Sequence, residues 1–543
     1  MVKSLAVRAV RKASLLYLLL PIVVLGGLYL YTLASFLAAP PSEGFSREVT
    51  VDTVDFGFIS NIRTPVVTVE NSDDTLTIVA MDGLVTTFMT IDAKGTLLDR
   101  FHIELDLYKA SQLDAYRSGP DTMVLYFIQD DLFKATVDMQ SHTYDKIMVD
   151  PEVRSFVCKD NLLVLEKANG LFGLDTSRGT PPVPLVSGAI LDYAATIEDG
   201  VCHVLAGIRN DEAMDLRVIV TDNGFSGIKD TLILGKTRDS YLKTIQDVFV
   251  QDQVMTGLYV WTDNKYGLNH LTVQQINLQN GTITASFSNS FQIHKGRFVI
   301  DEAIEGRVSV LMQDHVHRGV NLVSATMEQG KDPEVVPLTK TRELSQLSGY
   351  FDLGHEQALV FWDSIRTTRV VKFASTEETL VKSTTSILTV NFLSLAGITL
   401  FVILAAAFIG TIPYLMFTSL VPLVIMLAMA RFTAEYMNKI KVQNAVAGAV
   451  ATGLKLYLTW HLIHGMGHFS FRPALIGGEP MIYLALVASS VFSWLIASRH
   501  ARNDRKYDSE DLKSFAFYLF ADYVQYIMMV LVYVGSAMIL DKI

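Results

Sequence analysis

Apolar residues are concentrated at the two ends of this 543-residue chain. One apolar run covers residues 15–37, and further runs recur after residue 386. A helix of about 20 apolar residues spans the hydrocarbon core of a bilayer, so these runs are long enough to cross a membrane. The segment between them, residues 41–385, has the composition of a water-exposed domain. The sequence therefore predicts an integral membrane protein with one large domain outside the bilayer.

Basic residues precede the first apolar run, at Lys3, Arg8, Arg11 and Lys12. Positive charge stays on the cytosolic side of a membrane, so residue 40 onward is expected on the extracytoplasmic side. The run is longer than the apolar core of a cleaved signal peptide, which favours an anchor over cleavage within 34–39. Residues 1–39 are thus predicted to be a cytosolic basic N-terminus followed by a transmembrane helix.

Charge is divided between the same regions. Residues 41–385 contain 48 acidic and 30 basic residues, whereas the rest of the chain contains 8 acidic and 15 basic residues. An acidic domain repels phosphate, which argues against a nucleic acid partner. Two cysteines, Cys158 and Cys202, are too few for a disulfide scaffold, although one bond between them stays open. The sparse cysteines and a single glycosylation sequon at Asn280 suggest a bacterial cell envelope.

A unit of similar length recurs through the middle of the chain. Short runs of β-branched and aromatic residues alternate with turns rich in Gly, Asn and Asp. A polar residue ends the expected third strand of each unit, at Asp92, Asp138, Asp175, Asp222, Asn277, Glu328 and Thr376. Successive members of this series lie 37 to 55 residues apart.

Periods of about 40 to 50 residues with four short strands each are typical of a β-propeller. A four-stranded unit cannot bury both of its faces alone, so such units stack as blades around an axis. Seven blades fit residues 40–385 best, with eight blades or a pair of β-sandwiches as the alternatives. Residues 47–59 are expected to supply a strand to the last blade and to close the ring, which removes exposed sheet edges.

Four apolar blocks follow this region, at residues 387–430, 442–463, 481–497 and 515–540. The first block has 44 residues, about twice the length that a bilayer core requires, and Gly410, Pro413 and Pro422 interrupt it. Two crossings there would place the basic loop 499–513 outside, whereas the positive-inside tendency favours the cytosol. Five or six crossings in total therefore stay open. Residues 386–543 are predicted to form a multi-helix membrane domain.

The predicted fold class is therefore mixed. An extracytoplasmic all-β propeller of about seven blades lies between one N-terminal transmembrane helix and a C-terminal α-helical membrane bundle.

Three histidines share one helical face at the end of the second block, at His461, His464 and His468. The last two are one turn apart, which is the spacing of two ligands of one metal ion. Histidines at the membrane surface are the plainer interpretation, and a metal or quinone site is the alternative. The sequence names no cofactor.

Charged residues within apolar blocks are costly and often functional. Lys455 lies about 13 residues into its block and Asp522 about 8 residues into the last block, so their depths are similar. An intramembrane ion pair between Lys455 and Asp522 is predicted. The alternative is that Lys455 reaches a lipid headgroup while Asp522 lies in a hydrated crevice.

The sequence contains no nucleophile elbow, Walker loop or paired-histidine zinc motif. The expected function is therefore binding, sensing or assembly, with enzymatic activity uncertain. The propeller would dock a partner outside the membrane, and the helical bundle would contact membrane lipid and another integral membrane protein. This interpretation predicts an exposed apolar or charged patch on the propeller. A membrane enzyme that uses the three histidines and a transporter or permease subunit are the alternatives.

Overall fold

In the middle of the chain, the computed structural model describes residues 38–386 except 43, 56–65, 83–84, 106, 108–109, 199, 211–212, 223, 226, 239–242, 264–267, 292–297, 317–318, 342–343 and 366–367. Elsewhere it describes residues 27, 30, 31, 34, 35, 397, 398, 401, 424, 448–457, 460, 483, 484, 486–488, 490, 491 and 493–495. The chain divides into two compact units. One unit is Pro40–Thr385, and the other combines Met1–Ala39 with Ser386–Ile543.

The described residues of the Pro40–Thr385 unit form seven antiparallel sheets of four strands each. Six sheets use four consecutive strands, which we number as blades 1 to 6. Blade 1 contains β2 (Val67–Glu70), β3 (Leu76–Asp82), β4 (Val85–Ile91) and β5 (Leu97–Ile103), and blade 2 contains β6 (Gln112–Gly119), β7 (Thr122–Ile128), β8 (Leu132–Asp138) and β9 (Thr143–Asp150). Blade 3 contains β10 (Ser155–Lys159), β11 (Leu162–Lys167), β12 (Gly170–Asp175) and β13 (Val183–Ser187), and blade 4 contains β14 (Ile190–Glu198), β15 (Val201–Asn210), β16 (Ala213–Thr221) and β17 (Ile228–Arg238). Blade 5 contains β18 (Lys243–Gln251), β19 (Val254–Asp263), β20 (Leu268–Asn277) and β21 (Ile283–Phe291), and blade 6 contains β22 (Val299–Ile304), β23 (Arg307–Val316), β24 (Gly319–Glu328) and β25 (Glu334–Pro337).

The seventh sheet joins the two ends of the unit. Its strands are β26 (Ser345–Leu353), β27 (Glu356–Ile365), β28 (Thr368–Ser375) and β1 (Val49–Asp55). β1 is its fourth strand and pairs antiparallel with β28, with Val49 opposite Phe373. The first strands of blades 1 to 6 contact one another in sequence, β26 contacts β23 and β24 of blade 6, and β26 also contacts β2, so the sheets form a ring. The unit is a seven-bladed β-propeller. The predicted blade number and the closing strand within 47–59 are both confirmed.

The recurring polar residues of the sequence lie where they were expected. Six of them end or directly follow the third strand of a blade, and Thr376 follows β28, the third strand of blade 7. The spacing of the series therefore reports one blade per repeat, and the alternative of two β-sandwiches is excluded for this unit.

Apolar side chains from neighbouring blades fill the space between the sheets. The cluster that joins blades 7, 1 and 2 includes the fully buried Phe88, Phe127, Val360 and Phe373. Burying a side chain of this size contributes about 1.5 to 3 kcal/mol. Gly95 illustrates how tight this packing is, since it has a φ of +72° and a Cβ there would lie 2.6 Å from Cδ1 of Phe373. No residue with a side chain fits that turn without displacing the aromatic ring of Phe373 in blade 7.

The chain enters and leaves the propeller at one face. The backbone N–H of Ser46 donates to the carbonyl of Ser375 at 2.9 Å, and the N–H of Ser375 donates to Oγ of Ser46 at 3.0 Å. Helix α1 (Glu378–Thr384) follows, and Glu377 caps it by accepting from the N–H of Leu380. β28 is the third strand of blade 7 and ends at this face. Because neighbouring strands of a blade are antiparallel, the turns that follow first and third strands lie at this same face. The two connections to the rest of the chain thus leave the ring side by side.

Among the described residues, no helix combines the length and the apolar character that crossing a membrane requires. Residues 448–457 are helical, as are all the described residues within 483–495. The predicted spans at 15–37, 387–430, 442–463, 481–497 and 515–540 lie partly or wholly outside the described residues, and the basic loop 499–513 lies wholly outside them.

Candidate functional site

The fourth strands of blades 1 and 2 carry an unusual number of exposed apolar side chains. Between 38 % and 57 % of each of these side chains is exposed: Leu97, Leu98, Tyr144, Ile147 and Met148. We call these five residues the blade 1–2 edge. Among the fourth-strand side chains that the structure describes in other blades, which do not include 229–238 of β17, only Ile228, Ile283 and Val336 are large, apolar and exposed, one on each strand. Within each strand these side chains are neighbours or nearly so, and grouped exposed apolar side chains mark interaction sites more often than scattered ones do.

Local strand geometry explains the exposure on β5. Ile91 of the third strand faces Leu97, and Thr90 faces Asp99, so Leu98 is an extra residue without a partner in the ladder. A bulge of this kind re-aims a side chain at the rim of a sheet. Leu98 is the more exposed of the two leucines.

β9 pairs regularly with β8 from Thr143 to Met148, and all six of these residues are exposed, while a bulge follows at Val149. Tyr144 and Met148 lie opposite Val137 and Phe133, so they share one face of the strand. Ile147 lies opposite Lys134 on the other face. Apolar side chains therefore flank this edge on both sides.

Contacts between the two blades hold the edge in place. The ring of His142, in the turn before β9, stacks on Phe101 of β5 with ring centres 4.0 Å apart. The hydroxyl of Tyr144 donates to the backbone carbonyl of Glu104 at 2.9 Å. These two contacts join the fourth strands of neighbouring blades, so the apolar side chains are presented from a fixed scaffold. Such preorganisation lowers the entropic cost of binding.

Lys146 limits how a partner can approach this edge. Its ammonium lies 4.3 Å from the ring centre of Phe133 and 4.9 Å from that of Phe127, and it donates to Oε1 of Gln129 at 3.1 Å. A charged side chain turned over the sheet face protects an edge strand against pairing with another strand. The edge is therefore suited to side-chain recognition rather than to the addition of a fifth strand.

Acidic residues gather at the inner strands of blades 1, 6 and 7. Burial raises the pKa of Glu70, and the nearby Asp352 and Asp74 raise it further. Burial also raises the pKa of Asp301, with Asp352 and Glu302 adding to the effect. Mutual repulsion of these carboxylates makes this region unfavourable for anions.

The cysteines take no part in a site. Cys158 and Cys202 are both free, so the disulfide left open by the sequence is absent. Burial raises the pKa of both thiols, that of Cys202 to about 12. A thiol in this state is a poor nucleophile and a poor metal ligand.

The predicted metal ligands His461, His464 and His468 lie outside the described residues. Among the described residues, no group of three or more His, Cys, Asp or Glu side chains is arranged to hold a metal ion. Asp522 also lies outside them, whereas Lys455 is described, is buried, and donates to Oγ of Ser490 at 2.5 Å. The predicted pair of Lys455 with Asp522 stays a prediction.

Comparisons with known proteins concern the fold of the propeller. No family model matches the chain, and no curated protein matches it. The N-terminal domain of Nup159 is 10% identical, with 61% of this chain and 96% of that chain covered and a TM-score of 0.39. The WD40 domain of Toxoplasma gondii coronin is 9% identical, with 61% and 87% covered and a TM-score of 0.36. The β-propeller domain of Vanderwaltozyma polyspora Nup133 is 10% identical, with 60% and 97% covered and a TM-score of 0.36.

Sequence reasoning did not single out the blade 1–2 edge. The available signal was a pair of adjacent apolar residues near a strand end, at Leu97-Leu98 and at Ile147-Met148. Neighbouring side chains on a strand point to opposite faces, so on an outermost strand one member of such a pair is left towards solvent. Without the blade boundaries, these pairs look like ordinary core residues.

Proposed function

We propose that this protein is a membrane-anchored, extracytoplasmic binding protein that docks a protein partner through the blade 1–2 edge of its propeller. The propeller fold itself suggests a role in protein interaction or as a scaffold. The observation that carries the proposal is the set of five exposed apolar side chains on two joined fourth strands. Aromatic residues and methionine are enriched at protein interfaces, and Tyr144 and Met148 are of these types.

The proposal of a membrane anchor rests on the apolar runs and on an exposure pattern in the Met1–Ala39 and Ser386–Ile543 unit. Among the described residues within 483–495, the large exposed side chains are all apolar: Leu484, Val487, Val491, Trp494 and Leu495. The buried side chains of the same stretch include Ser490 and Ser493. An apolar outside with polar residues inside is unfavourable in water and is expected for helices that face lipid. The helical region would also be the part that contacts another integral membrane protein.

Site-specific photo-crosslinking in living cells tests the docking surface. A photoreactive amino acid at position 147 is expected to crosslink one dominant protein, and Met148→Glu in the same chain is expected to reduce that product at least about tenfold, since a buried charge opposes docking. Position 283 provides the matched control, because Ile283 is also a half-exposed isoleucine on a fourth strand. Identical products at positions 147 and 283, or a product unaffected by Met148→Glu, would contradict the proposal.

Extraction and protease access test the anchor separately. The protein is expected to stay with membranes in alkaline carbonate and to be released by detergent. When protease is added to cells whose outer layer has been permeabilised, it is expected to digest the extracytoplasmic propeller. Release by carbonate alone would refute the anchor without bearing on the docking surface.

A further inference from the structure

Three carboxylates accompany the exposed apolar side chains of the blade 1–2 edge. Asp99 follows Leu98 on β5, Glu104 directly follows the end of β5, and Asp145 follows Tyr144 on β9. All three acidic residues are exposed. None of them forms an ion pair with a described residue, and the only hydrogen bond that the Asp99 carboxylate accepts is from the neighbouring N–H of Arg100, at 2.8 Å.

The faces of β5 place two of these carboxylates at the groove between blades 1 and 2. Asp99 shares one face of β5 with Phe101, and the ring of Phe101 stacks on His142 of blade 2. Asp99 is therefore on the side of blade 1 that faces blade 2. The hydroxyl of Tyr144 donates to the backbone carbonyl of Glu104 across the same groove. The aromatic ring that the groove exposes thus has a carboxylate on the strand beside it.

The third carboxylate belongs to the other face of β9. Asp145 lies opposite Thr136 and Ile147 lies opposite Lys134, so Asp145 and Ile147 share the face that points away from blade 1. Each side of the edge therefore presents apolar surface and negative charge together.

The Lys and Arg side chains of these two strands are engaged elsewhere. Arg100 forms its ion pair with Asp52 of blade 7 at 2.9 Å, and the ammonium of Lys146 lies over the rings of blade 2. The one acidic residue of β9 that does have a cation is the buried Asp150, which Lys167 of blade 3 neutralises at 2.7 Å. Carboxylates that face a neighbouring blade are thus paired, whereas those at the edge face outward.

A partner that covers the apolar side chains of the edge also covers these carboxylates. A carboxylate that loses water without gaining a cation costs affinity, whereas an Arg or Lys placed opposite forms charge-assisted hydrogen bonds. Residues 41–385 contain 48 acidic and 30 basic residues, so the field of the whole domain attracts the same cationic partner. An anionic lipid surface would meet the same apolar side chains, but the carboxylates repel it.

We infer that the partner of the blade 1–2 edge is a cationic amphipathic protein segment, whose Arg or Lys side chains meet Asp99, Glu104 and Asp145 while its apolar side chains cover the edge. This inference rests on the proposed docking function and adds the chemistry of the partner to it. Because Lys146 protects the strand edge, the segment binds through its side chains rather than as an added strand.

Charge reversal beside the photoreactive position tests the inference in living cells. With the photoreactive amino acid at position 147, Asp145→Lys is expected to reduce the dominant protein product at least about fivefold and Asp145→Asn about twofold, because reversal adds repulsion where neutralisation only removes attraction. Glu334→Lys is the matched control and is expected to leave the yield unchanged. Glu334 is likewise an exposed carboxylate on a fourth strand, two residues before the exposed Val336.

Salt provides a second measurement that needs no variant. In cells whose outer layer has been permeabilised, raising NaCl from about 50 mM to about 500 mM is expected to lower the wild-type yield at least about threefold, because salt screens exposed charges. Mass spectrometry of the product is expected to find Arg or Lys close to the crosslinked residue of the partner.

The outcomes separate this inference from the docking function on which it rests. A dominant protein product that is insensitive to Asp145→Lys or to salt, or whose crosslinked segment is acidic, would overturn the cationic partner and leave the docking surface in place. Crosslinks to lipid, or no specific product at position 147, would remove both the docking surface and the cationic partner.

Discussion

Two aspartates occupy equivalent positions on the inner strands of neighbouring blades, and each binds the next blade. Oδ2 of Asp192 on β14 accepts from the N–H of Ile245 on β18 at 2.8 Å. Oδ2 of Asp247 on β18 accepts from the N–H of Ile300 on β22 at 2.7 Å. Both follow a register shift in their strand, which turns the side chain towards the neighbour. A single carboxylate per junction thus satisfies a backbone donor that no strand ladder reaches.

Asp192 makes the stability of this junction depend on pH. Burial raises the pKa of its carboxyl to about 6, the N–H groups of Ile245 and Tyr193 that donate to it oppose the shift, and Glu166 adds to it. Because the folded state holds the proton more tightly than the unfolded chain does, the stability that this proton contributes is complete below about pH 4 and is lost as the pH rises through 6.

Asp192→Asn removes this titration. Relative to the wild type, the free energy of unfolding of the variant is expected to rise by roughly 2 to 3 kcal/mol between pH 4 and pH 7. Urea titration of the purified protein at several pH values measures the difference. Asp247→Asn, which makes the same carboxylate-to-amide change in the equivalent bond one blade later, controls for the effect of that change itself. A difference between Asp192→Asn and the wild type that is constant over this pH range would contradict the account.

At the scale of the strand and turn, the recurring polar residue has a structural role. Oδ1 of Asp92 accepts from the N–H groups of Lys94 and Thr96 at 2.9 and 2.8 Å. Oδ1 of Asp138 accepts from Gln140 and Ser141, both at 2.9 Å. A short carboxylate or amide at this position replaces the backbone partners that the turn lacks. Blades 1 to 5 each have an Asp or Asn at the turn after the third strand, which is why a polar residue recurs there with the period of the blade.

This turn chemistry is the reason that the blades were predictable while the interaction surface was not. The turn after Asp92 depends on a residue type and a few neighbouring backbone groups, so it leaves a local and periodic signal in the sequence. The exposure of Leu98 and Ile147 depends on which strand is outermost and on how two blades meet. Those are properties of strands brought together from distant parts of the chain, and residue spacing does not report them.

Asp92→Ala is expected to reduce the free energy of unfolding by about 1 to 2 kcal/mol, since two backbone donors lose their acceptor. Asp92→Asn retains the accepting oxygen and is expected to lose less than half as much. Asp121→Ala is the matched control, because Asp121 is an exposed turn residue whose side chain accepts no hydrogen bond from a described residue. Equal losses for Asp92→Ala and Asp121→Ala in urea titrations would show that the turn bonds contribute nothing measurable.

At the scale of the whole propeller, the ring depends on a strand that precedes all seven first strands. β1 completes blade 7, and Asp52 on it forms an ion pair with Arg100 of blade 1 at 2.9 Å. On the inner side of the same junction, Oγ of Ser348 donates to the carbonyl of Val66 at 2.9 Å. Without β1 the outer edge of β28 is left unpaired, and an open apolar edge promotes aggregation.

We therefore predict that residues 40–385 fold as an independent domain and that residues 66–385 do not. The longer chain is expected to be monomeric and to unfold in one cooperative transition, because it contains every blade and the closing strand. The shorter chain is expected to aggregate, or to unfold at least about 10 °C lower, because it loses the partner of β28 and the buried Val54.

A peptide of residues 44–57 added in trans is expected to restore the monomer by completing blade 7. The same peptide with Val54→Asp is the control and is expected to fail, since it would bury an unpaired charge. If residues 66–385 alone match the midpoint and the monomeric state of residues 40–385, closure by β1 is not what stabilises the ring.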